Sequence, residues 1–449
     1  MNNVRKLKIY QLKDLKNIKQ LNVLSKEELF NINVVANVLP FRVNNYVLEE
    51  LIDWSNVPND PIFQLTFMQK EMLSSNQFNL MADAIKKEFT QTEIKIVADK
   101  IRKQLNPHPA GQLTANIPFM DDEPVKGIQH KYKETVLIFP TGGQTCHAYC
   151  TFCFRWAQFV GINDLKFATD ESKRFQEYIK SHKEITDILF TGGDPMVMSV
   201  TKLKTYIEPF LNPEFDHIKN IRIGTKSLAY WPYRYFSDKD SDEILNLFYR
   251  VINSGKHLAI MAHFSHYTEL QTEAVKMAIS RLRNVGVKIR TQSPVIKYIN
   301  DTSEVWSRMW QEQVNLGLIP YYMFVERNTG AKKYFEIPIA KVFEIYREAF
   351  QNVSGLSRSA RGPVMSALPG KVAVEGIAEI NHQKVFVLNL IQARNPDWVK
   401  KPFFAEYDEN ATWYLDLIPA FNDSEFFFDE ELANYISEKQ ERFIENYVK

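Results

Sequence analysis

The sequence predicts an α/β protein in which parallel strands alternate with helices. Six short runs of β-branched or aliphatic residues alternate with amphipathic stretches of helical length, among them 240–253, 268–284 and 339–350. This alternation is typical of right-handed βαβ units that share one parallel sheet. The six predicted strands are 135–141, 185–193, 220–225, 257–265, 287–296 and 319–326. Such a series fits either a doubly wound sheet or an incomplete barrel.

Small and polar residues follow each predicted strand. In chain order these segments read PTGGQTCHAYC, TGGDP, GTKS, HFSH, TQS and VERNTG. In both candidate architectures, ligands bind at the carboxyl ends of the strands. The six segments therefore lie where a functional site is expected.

Two regions flank the predicted strands. About the first 105 residues have helical apolar spacing, with a capping box predicted at Ser25 and Glu28, and a connection rich in proline and glycine follows. The last part of the chain is an aromatic-rich closing segment with a helix from about Asp429. We therefore predict an N-terminal helical region with its linker (1–125), a region of strands and helices (126–375) and a C-terminal segment (376–449).

The composition argues against several classes of protein. Lysine and arginine (55) nearly balance aspartate and glutamate (54), so no net field attracts nucleic acid or an anionic membrane surface. No apolar run approaches the roughly 18 residues of a spanning helix, and no signal peptide is recognised. Three closely spaced cysteines in 449 residues do not form a disulfide framework. We expect a folded cytoplasmic protein with reduced thiols.

All three cysteines lie in one eight-residue segment, CHAYCTFC. Three thiolates on one loop can bind three irons of a four-iron cluster and leave the fourth iron open for another ligand. A structural zinc site needs four ligands, and His147 would have to supply the fourth from between the first two cysteines. Buried cysteines with a packing role only are the other alternative. The spacing favours a [4Fe-4S] cluster on Cys146, Cys150 and Cys153.

The spacing Cys-x3-Cys-x2-Cys, with Phe152 before the last cysteine, resembles the signature of the radical S-adenosylmethionine (SAM) superfamily. TGGDP after the second predicted strand resembles the GGE-type element of that superfamily. The resemblance implies that SAM chelates the open iron and that Gly192, Gly193 and Asp194 contact the SAM ammonium group. It also implies cleavage of SAM to methionine and a 5′-deoxyadenosyl radical, which takes a hydrogen atom from the substrate.

Longer stretches between about residues 35 and 375 are similar to the lysine 2,3-aminomutase branch, whose members also use pyridoxal phosphate (PLP). They include LPFRVNNYVLEELID, GIQHKYKETVLIF, CTFCFRWAQF, VKIRTQSPVIKYIND and FEIPIAKVFEI. This resemblance implies a partial (βα)6 barrel of the radical SAM type and an isomerase that moves an amino group between adjacent carbons. Members of the branch are often homo-oligomers, and the chemistry needs an electron donor such as flavodoxin or ferredoxin.

Some site residues of that branch have counterparts here. Arg155 matches the arginine that holds the α-carboxylate of the substrate, and a guanidinium group suits a planar carboxylate. His263 and Gln292 match positions that face SAM and PLP. For these two residues, a structural histidine and a loop amide are the alternatives.

The PLP site departs from the pattern of the branch. Lys131 and Tyr132 match an Arg-Tyr pair near the PLP phosphate, but Thr135 stands where a second arginine is expected. Lys371 matches the Schiff-base lysine, which in the branch follows four glycines, whereas only Gly370 precedes it here. PLP binding at Lys371 and a solvated lysine in a turn are both open at this point.

The substrate site departs as well. Two aspartates that contact the distal ammonium group of lysine in the branch are replaced by Arg327 and Ala367. A cation at this position repels lysine and suits a distal carboxylate or another anion, unless Arg327 lies on a surface loop. The cysteines that the branch often carries near its carboxyl end are missing, so no second metal site is expected.

These features together predict a radical SAM enzyme, aminomutase-like if PLP is bound, that acts on an amino acid other than lysine. A radical SAM enzyme without PLP, a non-catalytic iron–sulfur protein and a zinc protein are the alternatives. Cleavage of SAM under reducing conditions distinguishes the enzymes from the two binding proteins.

Overall fold

The computed structural model describes residues 5–161, 167–169 and 172–448. Eleven of the strands in these ranges form one large mixed sheet beside which helices pack, so the α/β class predicted from the sequence is confirmed. Residues 1–4 and 449, at the ends of the first and last predicted regions, lie outside the described residues. No helix in the described ranges is long and apolar enough to span a membrane.

The N-terminal region is mainly helical, as predicted. Its elements are β1 (Ile9–Gln11), α1 (Lys26–Val38), β2 (Arg42–Asn44), α2 (Pro61–Thr66), α3 (Ser75–Lys86), α4 (Gln91–Lys103), β3 (Phe119–Met120) and β4 (Glu123–Pro124). The predicted capping box at the start of α1 is confirmed: the Glu28 N–H donates to Ser25 Oγ at 3.2 Å, and the Ser25 N–H donates to the Glu28 carboxylate at 2.7 Å. The short strands β1 to β4 were not predicted, and they form two small antiparallel pairs.

The large sheet contains all six predicted strands, and they pair in chain order. Strand β5 (Ile128–Tyr132) lies antiparallel at one side, and the strands that follow it are parallel to one another. They are β6 (Thr135–Ile138), β7 (Asp187–Phe190), β8 (Asn220–Thr225), β9 (His257–His263), β10 (Lys288–Val295), β11 (Ile319–Val325) and β12 (Arg361–Ser366). Of these strands, β5 and β12 were not predicted.

Amphipathic helices connect the parallel strands. They are α5 (Ser172–Ser181), α6 (Val200–Ile207), α7 (Ser227–Tyr230), α8 (Ser241–Asn253), α9 (Glu273–Asn284), α10 (Ser303–Asn315), α11 (Lys332–Phe335) and α12 (Ile339–Gln351). Ile244, Leu247, Phe248 and Val251 of α8 recur at helical spacing and are fully buried, which shows how one apolar face fixes a helix to the sheet. The helix predicted at 268–284 starts later than expected, because a separate 3-10 turn precedes the N-cap of α9.

Antiparallel strands extend the sheet beyond β12. They are β13 (Gly370–Ile380), β14 (Gln383–Ala393) and β15 (Pro402–Glu406), which the sequence did not predict. The boundary predicted at residue 375 falls within β13. The final helix, α13 (Asp429–Val448), begins where it was predicted and packs on the linker before β3, since Tyr435 Oη donates to the Ala115 carbonyl at 3.2 Å.

Candidate active site

The carboxyl ends of the parallel strands surround one cavity of about 290 Å³. Side chains or backbone from the segments after all six predicted strands line it, so the polar segments that the sequence singled out do meet. Twelve of the thirteen predicted site residues line the cavity: Lys131, Tyr132, Cys146, Cys150, Cys153, Arg155, Gly192, Gly193, His263, Gln292, Arg327 and Lys371. Asp194 is the exception.

The three cysteine thiols lie on the loop that follows β6. All three are free thiols, and burial raises the pKa of Cys146 well above its ordinary value, that of Cys150 to about 11 and that of Cys153 to about 12. Tyr230 of α7 lies beside this loop, with 3.2 Å between its Oη and Cys150 Sγ. Within the described ranges, no three His, Cys, Asp or Glu side chains are placed to hold one metal ion. A four-iron cluster makes a different demand, because each cysteine binds a separate iron.

The TGGD turn after β7 packs directly on the cysteine loop. The Asp194 N–H donates to the Thr145 carbonyl at 2.8 Å. A Cβ atom on Gly193 would lie 2.5 Å from Thr145 O, which is closer than a real side chain approaches. Gly192 has a φ of 142°, a conformation that favours glycine. The two glycines therefore allow this turn to lie against the residue that precedes Cys146.

Asp194 does not line the cavity, although its partners Thr225 and Lys226 do. It is 2 % exposed and accepts hydrogen bonds from the Thr225 hydroxyl at 2.6 Å, the Met196 N–H at 2.9 Å and the Lys226 N–H at 3.0 Å. Burial raises its pKa to about 6 despite these bonds. Both carboxylate oxygens hold the turn against the end of β8, and the contact between Asp194 and the SAM ammonium group stays a prediction.

His263 and Gln292 occupy paired positions on the neighbouring strands β9 and β10. Gln292 Nε2 and His263 Nε2 are 2.8 Å apart, so the amide donates to a neutral ring whose proton is on Nδ1. Burial lowers the pKa of His263 to about 3. The pair therefore forms a neutral, polar part of the cavity wall.

Lys131 and Lys371 lie where the cavity meets β5 and β13. Lys131 Nζ donates to the Ala367 carbonyl and Lys371 Nζ donates to Gln392 Oε1. The Lys371 ammonium also lies 4.9 Å from the centre of the Tyr132 ring. Burial and neighbouring cations lower the pKa of Lys131 well below its ordinary value and that of Lys371 to about 7. Lys371 is thus a strand residue in the cavity and not the solvated turn residue that was the alternative.

Arg155 and Arg327 approach the same aromatic ring. Their Cζ atoms lie 5.1 Å and 4.2 Å from the centre of the Phe154 ring. Arg155 is 7 % exposed and its Nη1 has no hydrogen-bond partner in the described part of the chain, whereas Arg327 Nη2 donates to Ser366 Oγ at 2.8 Å. Burial lowers the pKa of Arg155 to about 9 and that of Arg327 to about 10. Because Arg327 lines the cavity, the alternative of a surface position is wrong.

Several polar residues at the cavity were not predicted, among them Lys226, Glu326 and Gln392. Lys226 forms a buried ion pair with Glu269, with 2.6 Å between Nζ and Oε1. Burial raises the pKa of Glu326 well above its ordinary value. Lys226 and Glu326 belong to the strand-end segments GTKS and VERNTG, so their positions carried a usable signal. Gln392 lies on the antiparallel strand β14, and nothing in the local sequence indicates that it reaches Lys371.

Comparisons with known proteins find several lysine 2,3-aminomutases. A protein of Aquifex aeolicus named "Putative L-lysine 2,3-aminomutase" is 31% identical over 406 residues, which cover 90% of this chain and 95% of that protein. The L-lysine 2,3-aminomutase of Acetoanaerobium sticklandii is 28% identical over 275 residues, covering 60% of this chain and 62% of that protein. The L-lysine 2,3-aminomutase of Fusobacterium nucleatum is 28% identical over 235 residues, covering 52% of each.

Two other comparisons give no information about the fold or the function of this chain. No protein-family model matches the chain. The crystal structure of Streptococcus suis SuiB bound to precursor peptide SuiA has a TM-score of 0.34 and 14% identity, over 63% of this chain and 64% of that one, a likeness too weak to bear on fold or function.

The cysteine motif and the extended similarity define the class as the radical SAM enzymes. Within that class, the chain belongs to the lysine 2,3-aminomutase family. It is a divergent member, with 28–31% identity to the relatives named above.

Proposed function

We propose that this enzyme binds a [4Fe-4S] cluster, SAM and PLP at one cavity and moves an amino group between adjacent carbons of an amino acid other than lysine. The observation that carries the proposal is the meeting of two separate features in that cavity. One is the cysteine loop with the glycine turn packed on it, and the other is Lys371, a half-buried lysine with a lowered pKa.

The residues at the cysteine loop fit an iron–sulfur cluster and SAM. Three free thiols line one cavity, and burial disfavours their thiolate forms in the protein alone, so a cationic partner would stabilise them. Gly192 and Gly193 present backbone at the cavity next to this loop. When bound, the reduced cluster and SAM supply a 5′-deoxyadenosyl radical. The protein contributes position and exclusion of water, since the cofactors carry the difficult chemistry.

The residues where the cavity meets β5 and β13 fit PLP. Lys371 is partly neutral near pH 7, and the neutral amine is the form of lysine that reacts with an aldehyde. Lys131 and Tyr132 border the same region, and the amide of Gln112 has a buried Nε2 without a partner in the described residues. Thr135 also lines the cavity, so a hydroxyl replaces the missing second arginine. When bound, PLP supplies a conjugated ring that stabilises a substrate radical.

A contact between the two ends of the parallel series of strands supports a partial (βα)6 barrel, in which we assign Arg155 as the carboxylate-binding residue. Lys131 on β5 donates a hydrogen bond to the carbonyl of Ala367, which follows β12. The two ends of the series of parallel strands therefore lie close together. Arg155 offers an unpartnered Nη1 to the enclosed space. The proposed enzyme also requires an external electron donor such as flavodoxin or ferredoxin.

Anaerobic reconstitution tests the radical SAM part of this proposal. We expect the reconstituted protein to convert SAM to methionine and 5′-deoxyadenosine under reducing conditions. The variant in which Cys146, Cys150 and Cys153 are all alanine should form neither the cluster nor these products. A cluster without SAM cleavage would favour the iron–sulfur binding protein, and zinc without iron or sulfide would favour the zinc protein.

A further inference from the structure

The proposed function leaves the substrate open, and the charges in the cavity narrow it. We infer that the substrate is an amino acid whose side chain ends in a carboxylate, and that Arg327 binds this distal carboxylate. The inference rests on the proposed function, because it takes an amino acid as the substrate. It concerns specificity and is tested separately from cofactor binding.

The cavity has a large excess of basic side chains. Six basic residues and a single acidic residue line it: Lys131, Arg155, Arg222, Lys226, Arg327 and Lys371 against Glu326. Two of the six have carboxylate partners, since Arg222 pairs with Asp187 at 2.7 Å and Lys226 pairs with Glu269 at 2.6 Å. None of the other four lies within ion-pair distance of a carboxylate in the described ranges. A buried cation without an anion is unfavourable, so the cavity is built for anionic ligands.

The unsatisfied polar atoms of the cavity agree with this charge. Arg155 Nη1, Gln112 Nε2 and Tyr322 Oη are buried, line the cavity and have no hydrogen-bond partner among the described residues. All three atoms can donate a hydrogen bond. Buried donors are normally paired, so the missing partners are acceptor atoms of ligands. The oxygens of carboxylate and phosphate groups are such acceptors.

Arg155 and Arg327 lie close enough together for each to bind one carboxylate of the same small substrate. Both guanidinium groups pack near the Phe154 ring, and the bond from Arg327 to Ser366 Oγ fixes the second of them. An amino acid with two or three carbons between its carboxyl groups separates the two carboxyl carbons by about 4–5 Å. Two neighbouring guanidinium groups can therefore each bind one carboxylate of the same substrate.

Counting the anions assigns Arg327 to the side chain of the substrate. The PLP phosphate is expected at Lys131, beyond Lys371, and the α-carboxylate of any amino acid is expected at Arg155. Arg327 then remains as a cation without an anion. A substrate with a distal ammonium group, such as lysine, would place another positive charge beside it. A distal carboxylate on the substrate would neutralise the positive charge of Arg327.

Matched amino acids test this inference in the reconstituted holoenzyme. L-Glutamate and L-glutamine have nearly the same shape and differ in the charge of the distal group. We expect kcat/KM for β-amino acid formation to favour glutamate over glutamine on the order of 100-fold, and lysine to give no product. In Arg327→Gln this preference should fall to about 10-fold or less, mainly through a higher KM for glutamate. Arg327→Lys should restore part of it.

Two controls show whether Arg327 binds the substrate carboxylate or the PLP phosphate. They also distinguish a failure of this inference from a failure of the proposed function. Arg347, an exposed arginine on α12 that does not line the cavity, gives a matched variant, and Arg347→Gln should keep the wild-type preference. PLP affinity is measured in each variant from the absorbance of the PLP adduct. Loss of PLP from Arg327→Gln would show that Arg327 binds the cofactor phosphate and would overturn the inference. Equal use of glutamine, or use of lysine, would overturn it while leaving the aminomutase function intact. If no PLP adduct forms in the wild type, the proposed function itself fails.

Discussion

Replacing Lys371 with methionine should stabilise the protein in the absence of cofactors. Burial, followed by the charges of Arg222, Arg361 and Arg327, lowers the pKa of Lys371 from 10.5 to about 7. At about 1.4 kcal/mol per pKa unit, the full shift corresponds to roughly 5 kcal/mol. The side chain borders the cavity and packs on aromatic rings, which offsets part of this penalty. We therefore expect Lys371→Met to raise the free energy of unfolding by about 1–3 kcal/mol at pH 7.

The dependence of this gain on pH follows from the direction of the pKa shift. Between pH 7 and pH 10.5 the unfolded chain holds a proton on Lys371 that the folded chain has released, so the wild type becomes more stable as the pH rises. The advantage of Lys371→Met is therefore fully present below pH 7 and decreases toward pH 10.5. Urea unfolding at pH 6.5, 8 and 9.5 measures it, with the exposed Lys100→Met as the control. A variant that is less stable than the wild type, or a gain independent of pH, would refute the reasoning.

Three further predictions concern the same cavity. Gly193→Ala places a Cβ atom 2.5 Å from Thr145 O and should at least halve the iron bound per chain, whereas Gly376→Ala, with no atom within 4 Å of the added carbon, should not change it. Because burial raises the pKa of Glu326 well above its ordinary value, the neutral Glu326→Gln should change the free energy of unfolding by less than about 1 kcal/mol, and a larger loss in urea unfolding would contradict this. PLP at 100 times its dissociation constant should raise the free energy of unfolding by about 2.7 kcal/mol. Lys371→Met should show no such rise, and an equal rise in both proteins would place PLP elsewhere.

The main architecture could be predicted because the local pattern and the tertiary contacts agree. Strand 257–263 is an apolar run buried on both faces, strand 220–225 alternates buried and half-buried residues, and α8 carries an apolar face at helical spacing. The strands β13 and β14 carried a usable signal, because valine and isoleucine recur in both and a two-residue turn joins them into a hairpin. They were missed because the segment after residue 375 was assigned as a closing region without regular strands.

Some site residues could likewise be predicted from the sequence, and others depend on tertiary contacts. The cysteines, the glycine turn and Lys371 could be predicted because the chemistry requires fixed residue types at fixed spacing. The partners of Asp194 could not, since Thr225 and Lys226 reach it from another strand. The burial of Arg327 beside Phe154 is also a tertiary property, because the loop VERNTG is polar and reads as a surface segment.

The central claim is that the radical SAM loop and a PLP-binding lysine serve one cavity. Its most direct test is borohydride treatment of the anaerobically reconstituted protein with PLP, followed by an absorbance scan and peptide mass spectrometry. We expect a reduced PLP adduct on Lys371 that is absent from Lys371→Ala. No adduct in a protein that still cleaves SAM would contradict the claim and would mean that this chain carries the radical machinery without the aminomutase cofactor.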